Sequence, residues 1–259
     1  MKGFRNNNGV VLLELLIVLM ILGLLITGAV KTWDTTITQR RFTNTLQELN
    51  ELCYAIVGDP ELISDGRRID FGYVGDMGAI PDSLVDLVRA PANAETWRGP
   101  YVKVKFAENP NDYLEDGWGT PYIYLKDSLI IRSYGGGTNL TPEKWINKKI
   151  APNSDVLLRN TITGYVKDIT NSPPGYKNQY LRIFITYPLN GVWYTPPAII
   201  PNETGYYTIN DIPQGNHRMI CIYDTTPLIP NDTADFVEKY ACVYPGAPNT
   251  VDFKLSIKF

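Results

Sequence analysis

Hydrophobic and polar positions divide the chain into three regimes. From Val10 to Val30 the run is apolar except at Glu14 and Thr27. At about 1.5 Å per residue, a helix over this run is about 32 Å long, close to the thickness of a hydrocarbon core. The pattern then changes without a break. Trp33, Ile37, Phe42, Leu46, Leu49, Cys53 and Ile56 recur at mostly three- and four-residue steps, which marks one apolar helix face. Gly58 and Pro60 end that pattern. The spacing predicts one continuous helix over 10–57, about 70 Å long, with its first half in lipid and its second half in water.

Residues 58–150 open with polar punctuation, and Pro81-Asp82-Ser83 before LVDLV reads as the start of a short helix. The runs VKVKF (102–106), YIYL (122–125) and LIIRSY (129–134) predict three short antiparallel strands with Gly-Pro, Gly-Thr-Pro and Asp-Ser turns. The long helix packed on this small sheet forms a head. The register changes over 151–160, which reads as a linker. Six short β-type runs then follow between turn residues across 161–259, from TITGYVKDI to TVDFKLSIKF, and predict a β-sandwich. The fold class is α+β: a long N-terminal helix on a small antiparallel sheet, followed by an all-β sandwich.

Composition narrows the function. The net charge of −3, from 24 basic and 27 acidic residues, lacks the basic excess of a nucleic-acid binder. The 17 tyrosines, 19 prolines and 21 glycines suit a loop- and β-rich extracytoplasmic protein. Of the three cysteines, Cys221 and Cys242 share the C-terminal region and could pair in an oxidising compartment. Cys53 reads as a small buried apolar residue. The single histidine, His217, has no second His or Cys-x-x-Cys beside it, and no G-x-S-x-G or P-loop is present. No catalysis and no metal are expected. Gly135-Gly136-Gly137 reads as a flexible turn, and Asp116 and Asp127 as turn residues. Trp193, Tyr194, Tyr206 and Tyr207 read as sandwich packing, with a ligand surface as the alternative.

Glu14 raises the sharpest question. Lys2 and Arg5 keep the N-terminal side cytoplasmic, so the rest is exported. No A-x-A-like cleavage site follows the apolar run, unlike a secretory signal. A carboxylate at mid-bilayer costs about 2.5–3.5 kcal/mol and calls for a partner. One solution is snorkelling to the interface. The other is a free amine at Val10, one helical turn away or on a neighbouring copy, created by a cut after Gly9.

The basic leader, Gly9, the apolar run and Glu14 as the fifth residue after the cut together resemble the class III leader of type IV pilins and type II secretion pseudopilins. The resemblance implies cleavage between Gly9 and Val10 by a prepilin peptidase, N-methylation of the new terminus, and a role for Glu14 in assembly of a helical filament. The implied partners are other copies or other pseudopilins, the peptidase, the inner-membrane assembly platform and the membrane, with no nucleic acid. Val10 departs from the family's usual Phe or Met. The words WRGPYV, DGWGTPYIY and IIRSYGGG also resemble the head of the major type II secretion pseudopilin. In that family the following loop binds calcium, but GGGTNLTPEKWINKK (135–149) contains no Asp. Calcium is therefore disfavoured, and no other cofactor is expected. GYVKD, LRIFI, ETGYYTINDIPQGNHRMICIY and TVDFKLSI resemble transthyretin-like modules of the carboxypeptidase regulatory type, common as non-catalytic accessory domains.

The expected organisation is a leader over 1–9, a transmembrane and assembly helix over 10–57, a head over 58–150, a linker over 151–160 and an accessory sandwich over 161–259. The expected function is that of a structural filament subunit, single-pass in the inner membrane, with its heads in the periplasm or on the cell surface. The alternative is a membrane-anchored periplasmic binding module that never polymerises. An enzyme on a membrane anchor is a third reading, and His217 is its only candidate side chain.

Overall fold

A computed structural model describes residues 8–102, 111–225 and 235–259. Helix α1 spans Asn8–Val57 without interruption, 50 residues or about 75 Å. In its apolar part the Thr27 hydroxyl donates to the Gly23 carbonyl at 2.7 Å, so it needs no partner outside the helix. The helix stops where the pattern predicts. Gly58 turns left-handed at φ 82°, and its N–H donates to the Tyr54 carbonyl at 2.6 Å. The last helical carbonyl, that of Val57, accepts from Arg68 Nη2 at 2.6 Å and from Gln214 Nε2 at 2.8 Å. A cation thus sits at the negative end of the helix.

The chain then makes a tight hairpin of β1 (Ile63–Ser64) and β2 (Arg67–Arg68). Asp65 and Gly66 both take positive φ at its turn, the backbone that Asp-Gly favours. Helix α2 (Gly72–Met77) follows. The predicted short helix after Pro81-Asp82-Ser83 is a 3-10 turn over Leu84–Leu87. The Asp86 carboxylate fixes its start, accepting from the N–H groups of Asp82 and Ser83, each at 2.9 Å.

A three-stranded antiparallel sheet comes next: β3 (Ile123–Leu125), β4 (Ile130–Ser133) and β5 (Ile146–Lys149) in that order. YIYL and LIIRSY form the first two strands. Of VKVKF, expected as a strand, only Val102 is described; it is buried in a bend and belongs to no strand, and the rest lies outside the described residues. The third strand is INKK, which carries one buried residue, Ile146, and so gives almost no alternation to read.

Helix α1 packs on this sheet through its C-terminal part only. Leu49, Leu52, Cys53 and Ile56 share a core with Val74, Leu87, Leu129, Ile131 and Ile146. The buried face is rotated from the predicted stripe. Leu52 and Ala55 are inside it, whereas Leu46 is 40% exposed and Trp33 72%.

The C-terminal half begins with a short helix, α3 (Ser154–Leu158), and β6 (Asn160–Lys167). Strands β7 (Leu181–Leu189), β8 (Val192–Tyr194), β9 (Tyr206–Ile212), β10 (Gly215–Tyr223), β11 (Asp235–Val243), β12 (Asn249–Thr250) and β13 (Phe253–Lys254) follow. One sheet has the order β11-β10-β7-β8. In the other, β9 pairs antiparallel with one edge of β6, while β12 and β13 pair parallel with it. Ile162, Val166, Ile209 and Phe253 from this sheet share a core with Ile183, Ile185, Met219 and Cys221 from the first. The alternation of buried and outer positions along β10, and along β7 from Leu181 to Tyr187, is that of a sheet with one face on the core. The fold is α+β, with a long N-terminal helix on a small sheet and a β-sandwich behind it.

Two expectations are corrected here. Cys221 and Cys242 are both free. In the β10–β11 register Cys221 faces Val237 and Cys242 faces Asn216, so the two lie about 17 Å apart along the strands. That exceeds the reach of a disulfide. They also point to opposite faces: Cys221 into the core, Cys242 outward, its Sγ donating to the Arg68 carbonyl at 3.4 Å. The stretch 151–160 is also not a free linker. Ala151 and Leu157 are buried in the head core, and the Leu157 carbonyl accepts from Gln214 N–H at 2.8 Å. Further main-chain bonds cross the same seam, from Gly191 N–H to the Met77 carbonyl at 2.8 Å and from Thr96 N–H to the Gly191 carbonyl at 3.0 Å.

Candidate functional site

The first turns of α1 contain Gly9 and Val10. Every described side chain from Glu14 to Asn44 is exposed, and burial begins at Thr45. Leu15 to Leu22 are all exposed apolar residues, followed by Leu24, Leu25, Ile26 and Val30. This part of α1 is long and apolar enough to cross a membrane. Glu14 is exposed within it and has no ion-pair partner among the described residues. The structure therefore places Gly9, Val10 and Glu14 on one helix end and adds no second group to Glu14.

The rest of α1 is fixed to the head by the words that the sequence singles out. In D-G-W-G-T-P-Y, the Gly117 N–H donates to Thr45 Oγ1 at 2.9 Å and the Tyr122 hydroxyl donates to Glu48 Oε2 at 2.8 Å. Burial, and after it the Glu48 carboxylate, push the Tyr122 hydroxyl far above its ordinary range, so it remains a donor. Asp116 is the turn residue expected of it. Its carboxylate accepts from the N–H groups of Trp118 and Thr120, each at 2.9 Å, and from Ser133 Oγ on β4. Asp127 lies in the turn between β3 and β4. In W-R-G-P-Y, Trp97 Nε1 donates to the Asp86 carbonyl at 3.0 Å and the Tyr101 hydroxyl to Asp76 Oδ2 at 2.9 Å. Thr45 and Glu48 were missed from the sequence. On a helix read only for its apolar stripe they look like ordinary polar positions.

The glycine run is a packed turn rather than a loose one. A side chain at Gly135 would meet the Lys144 carbonyl, at Gly136 the Trp118 indole and at Gly137 the Thr141 hydroxyl. Side chains organise the loop that follows. Trp145 Nε1 and Thr141 Oγ1 both donate to the Thr138 carbonyl, at 2.9 and 3.0 Å, and the Arg132 guanidinium lies 4.0 Å from the centre of the Trp145 ring. Calcium takes six to eight oxygens including carboxylates. This loop offers Glu143 alone and has already committed the Thr138 carbonyl, so its donor set does not suit the ion. Among the described residues, no three His, Cys, Asp or Glu side chains gather as a metal site.

His217 is sealed at the base of the sandwich with 1% of its surface exposed. Its Nε2 lies 2.7 Å from the Pro213 carbonyl, the Tyr187 ring meets it edge-on, and Nδ1 has no hydrogen-bond partner among the described residues. No path for a substrate reaches such a ring. Burial lowers its pKa to about 4, below the unfolded value of about 6.5. The unfolded chain therefore binds the proton first as pH falls, and stability is lost between about pH 6.5 and pH 4. The loss is on the order of 3 kcal/mol. Urea unfolding of the detergent-solubilised chain at pH 7 and pH 5 is expected to show about 2 kcal/mol of this drop, and His217→Leu to flatten it. A second window lies lower. Burial opposes the ionisation of Asp168, but its bonds from Thr170, Ser172 and Phe259 outweigh that and hold its carboxyl at about 2. Its contribution is present above the usual carboxylate range and fades only as pH falls toward 2.

The four aromatics proposed as a ligand surface do not come together. Tyr207 is in the sandwich core, its hydroxyl donating to the Val251 carbonyl. Tyr206 lies on the β9 sheet beside Tyr165, whereas Trp193 and Tyr194 lie on β8 of the other sheet. No protein-family model matches the chain, and no curated protein matches it significantly.

Proposed function

We propose that the chain is a structural subunit of a type IV pilus-like or type II secretion pseudopilus filament, processed after Gly9 and assembled through α1. The observation that carries the reading is the division of α1. Its C-terminal part is fastened to the head by Thr45, Glu48 and the core, while all described positions from Glu14 to Asn44 stay exposed although most of the first half is apolar. A helix that served only to cross a bilayer would not need the exposed Trp33, Ile37 and Phe42 beyond its apolar run. In a bundle of such helices those side chains pack on neighbouring copies, and removal of apolar surface from water supplies the cohesion. The Glu14 carboxylate pairs with the terminal amine of an adjacent subunit. The inner membrane holds the subunit before assembly, with the head and sandwich on the periplasmic side.

Mass spectrometry of the N-terminus, on chain purified from membranes of cells that make a prepilin peptidase, tests this. The expected mature chain begins at Val10 and carries one N-methyl group. An intact Met1 would favour the rival reading, a non-polymerising anchored binding module. A cut near residue 30 would remove α1's apolar part and defeat both.

A further inference from the structure

A groove follows the seam between the β1–β2 hairpin and the sandwich. It is made of three adjoining cavities of about 460, 450 and 330 Å³. The first two share Arg67, Tyr240 and Cys242, and the second and third share Ile69 and Asn216, so they lie side by side along the seam. Its floor is the outer face of the β10–β11 pair, on which Asn216 and Cys242 are direct cross-strand partners. Ligand sites favour such junctions between packed units.

The chemistry of the lining is specific. Tyr240 presents an aromatic ring in one part and Trp193 in another, 52% and 50% exposed. Between and beside them stand planar groups with spare hydrogen-bonding capacity. Neither the Arg67 guanidinium nor the Asn216 amide hydrogen-bonds within the described residues, and Arg98 reaches Asp76 only at 4.0 Å. Charges balance along the groove, with Arg67, Arg68, Arg98 and Lys239 against Asp65, Asp70, Asp76 and Asp252. That balance favours an uncharged chain over a polyanion. The floor under Asn216 and Cys242 is a sheet face, whereas the first cavity runs along β11, the end strand of its sheet. Aromatic faces carry negative charge that suits the C–H face of a sugar ring, and guanidinium and amide forks suit adjacent hydroxyls.

We infer that this seam groove binds a neutral linear oligosaccharide, with Tyr240 and Trp193 as the platforms for two of its rings and Arg67, Asn216 and Arg98 on its hydroxyls. The inference does not depend on filament assembly. It is tested by calorimetric titration of the full chain in detergent micelles with cellotetraose, chitotetraose and a tetragalacturonate. A neutral tetrasaccharide is expected to bind with Kd at or below about 1 mM. Trp193→Ala and Tyr240→Ala should each weaken binding at least tenfold, Trp193→Phe should retain most of it, and Leu140→Ala, exposed and away from the groove, should leave it unchanged. Both aromatics are half exposed, and an unchanged melting temperature shows that the alanine variants are folded. The inference is overturned if no neutral sugar binds, if the uronate alone binds, or if binding survives loss of both rings.

Discussion

Glu14→Ala is expected to remove the chain from filaments while leaving it in the membrane. The measurement is the ratio of chain in a sheared or pelleted filament fraction to chain in the inner membrane, and the expected fall is more than tenfold. The physical reason is the isolation of Glu14 on α1. Its carboxylate is exposed in an apolar stretch and has no ion-pair partner among the described residues. In a packed bundle that charge leaves water and lipid headgroups behind. It is tolerated only beside a cation, and breaking one such desolvated pair costs about 3–5 kcal/mol. In the proposed filament, alanine would leave the amine of the neighbouring subunit as the unpaired group at every such contact. Cleavage between Gly9 and Val10 is expected to proceed unchanged, which separates an assembly defect from a processing defect. Glu14→Gln keeps the shape and one hydrogen bond but not the charge, and should fall between the two. Normal incorporation of Glu14→Ala would show that the carboxylate merely snorkels and would withdraw the assembly role.

What the sequence made legible follows from how strongly each physical rule is expressed in it. The end of α1 was readable because Gly58 both supplies the left-handed turn and follows a long periodic run. The sandwich strands were readable because β10 alternates over its whole length and β7 from Leu181 to Tyr187. The register of the helix on the head was not. The buried side includes the small polar Thr45, and the exposed apolar Phe42 and Leu46 belong to the same apparent stripe. Two demands are written on one surface there, packing on the head and a face left open, and periodicity alone merges them. The hairpin of β1 and β2 was missed because its strands are too short to alternate, although Asp65-Gly66 carries the turn chemistry. The seam was missed for a different reason. Gln214 reaches the carbonyls of Val57 and Phe71 across the chain, at 2.8 and 3.1 Å, and nothing local announces such a bond.

Gly117→Ala is expected to loosen the head from α1 and to lower the stability of the chain. Gly117 does not have positive φ, so alanine is allowed by the backbone itself and only space is at issue. A Cβ there would lie 2.6 Å from the Arg41 carbonyl oxygen, 3.1 Å from Arg41 Cα and 3.1 Å from Thr45 Oγ1. The first two are main-chain atoms of α1, which cannot rotate away as a side chain would. The loop must therefore withdraw from the helix. Withdrawal breaks the Gly117–Thr45 bond and pulls the Tyr122 hydroxyl from Glu48. Overpacking costs about 1–3 kcal/mol and each lost buried hydrogen bond about 1 kcal/mol. The sum of about 3–5 kcal/mol corresponds to a fall in melting temperature of about 6–15 °C for a chain of this size. Thermal unfolding of the full chain in detergent, followed by near-ultraviolet circular dichroism, measures it. Gly23→Ala is the matched control, because a Cβ there meets nothing within 4 Å, and it should leave the transition in place. A Gly117→Ala melting point within a degree of the parent would mean that α1 and the D-G-W-G turn are not held in this close approach. The helix would then be fixed to the head by its apolar face alone. If the approach is real, the variant should also incorporate poorly into filaments despite an intact Glu14, since a helix that swings on its head cannot present head and bundle contacts in one geometry.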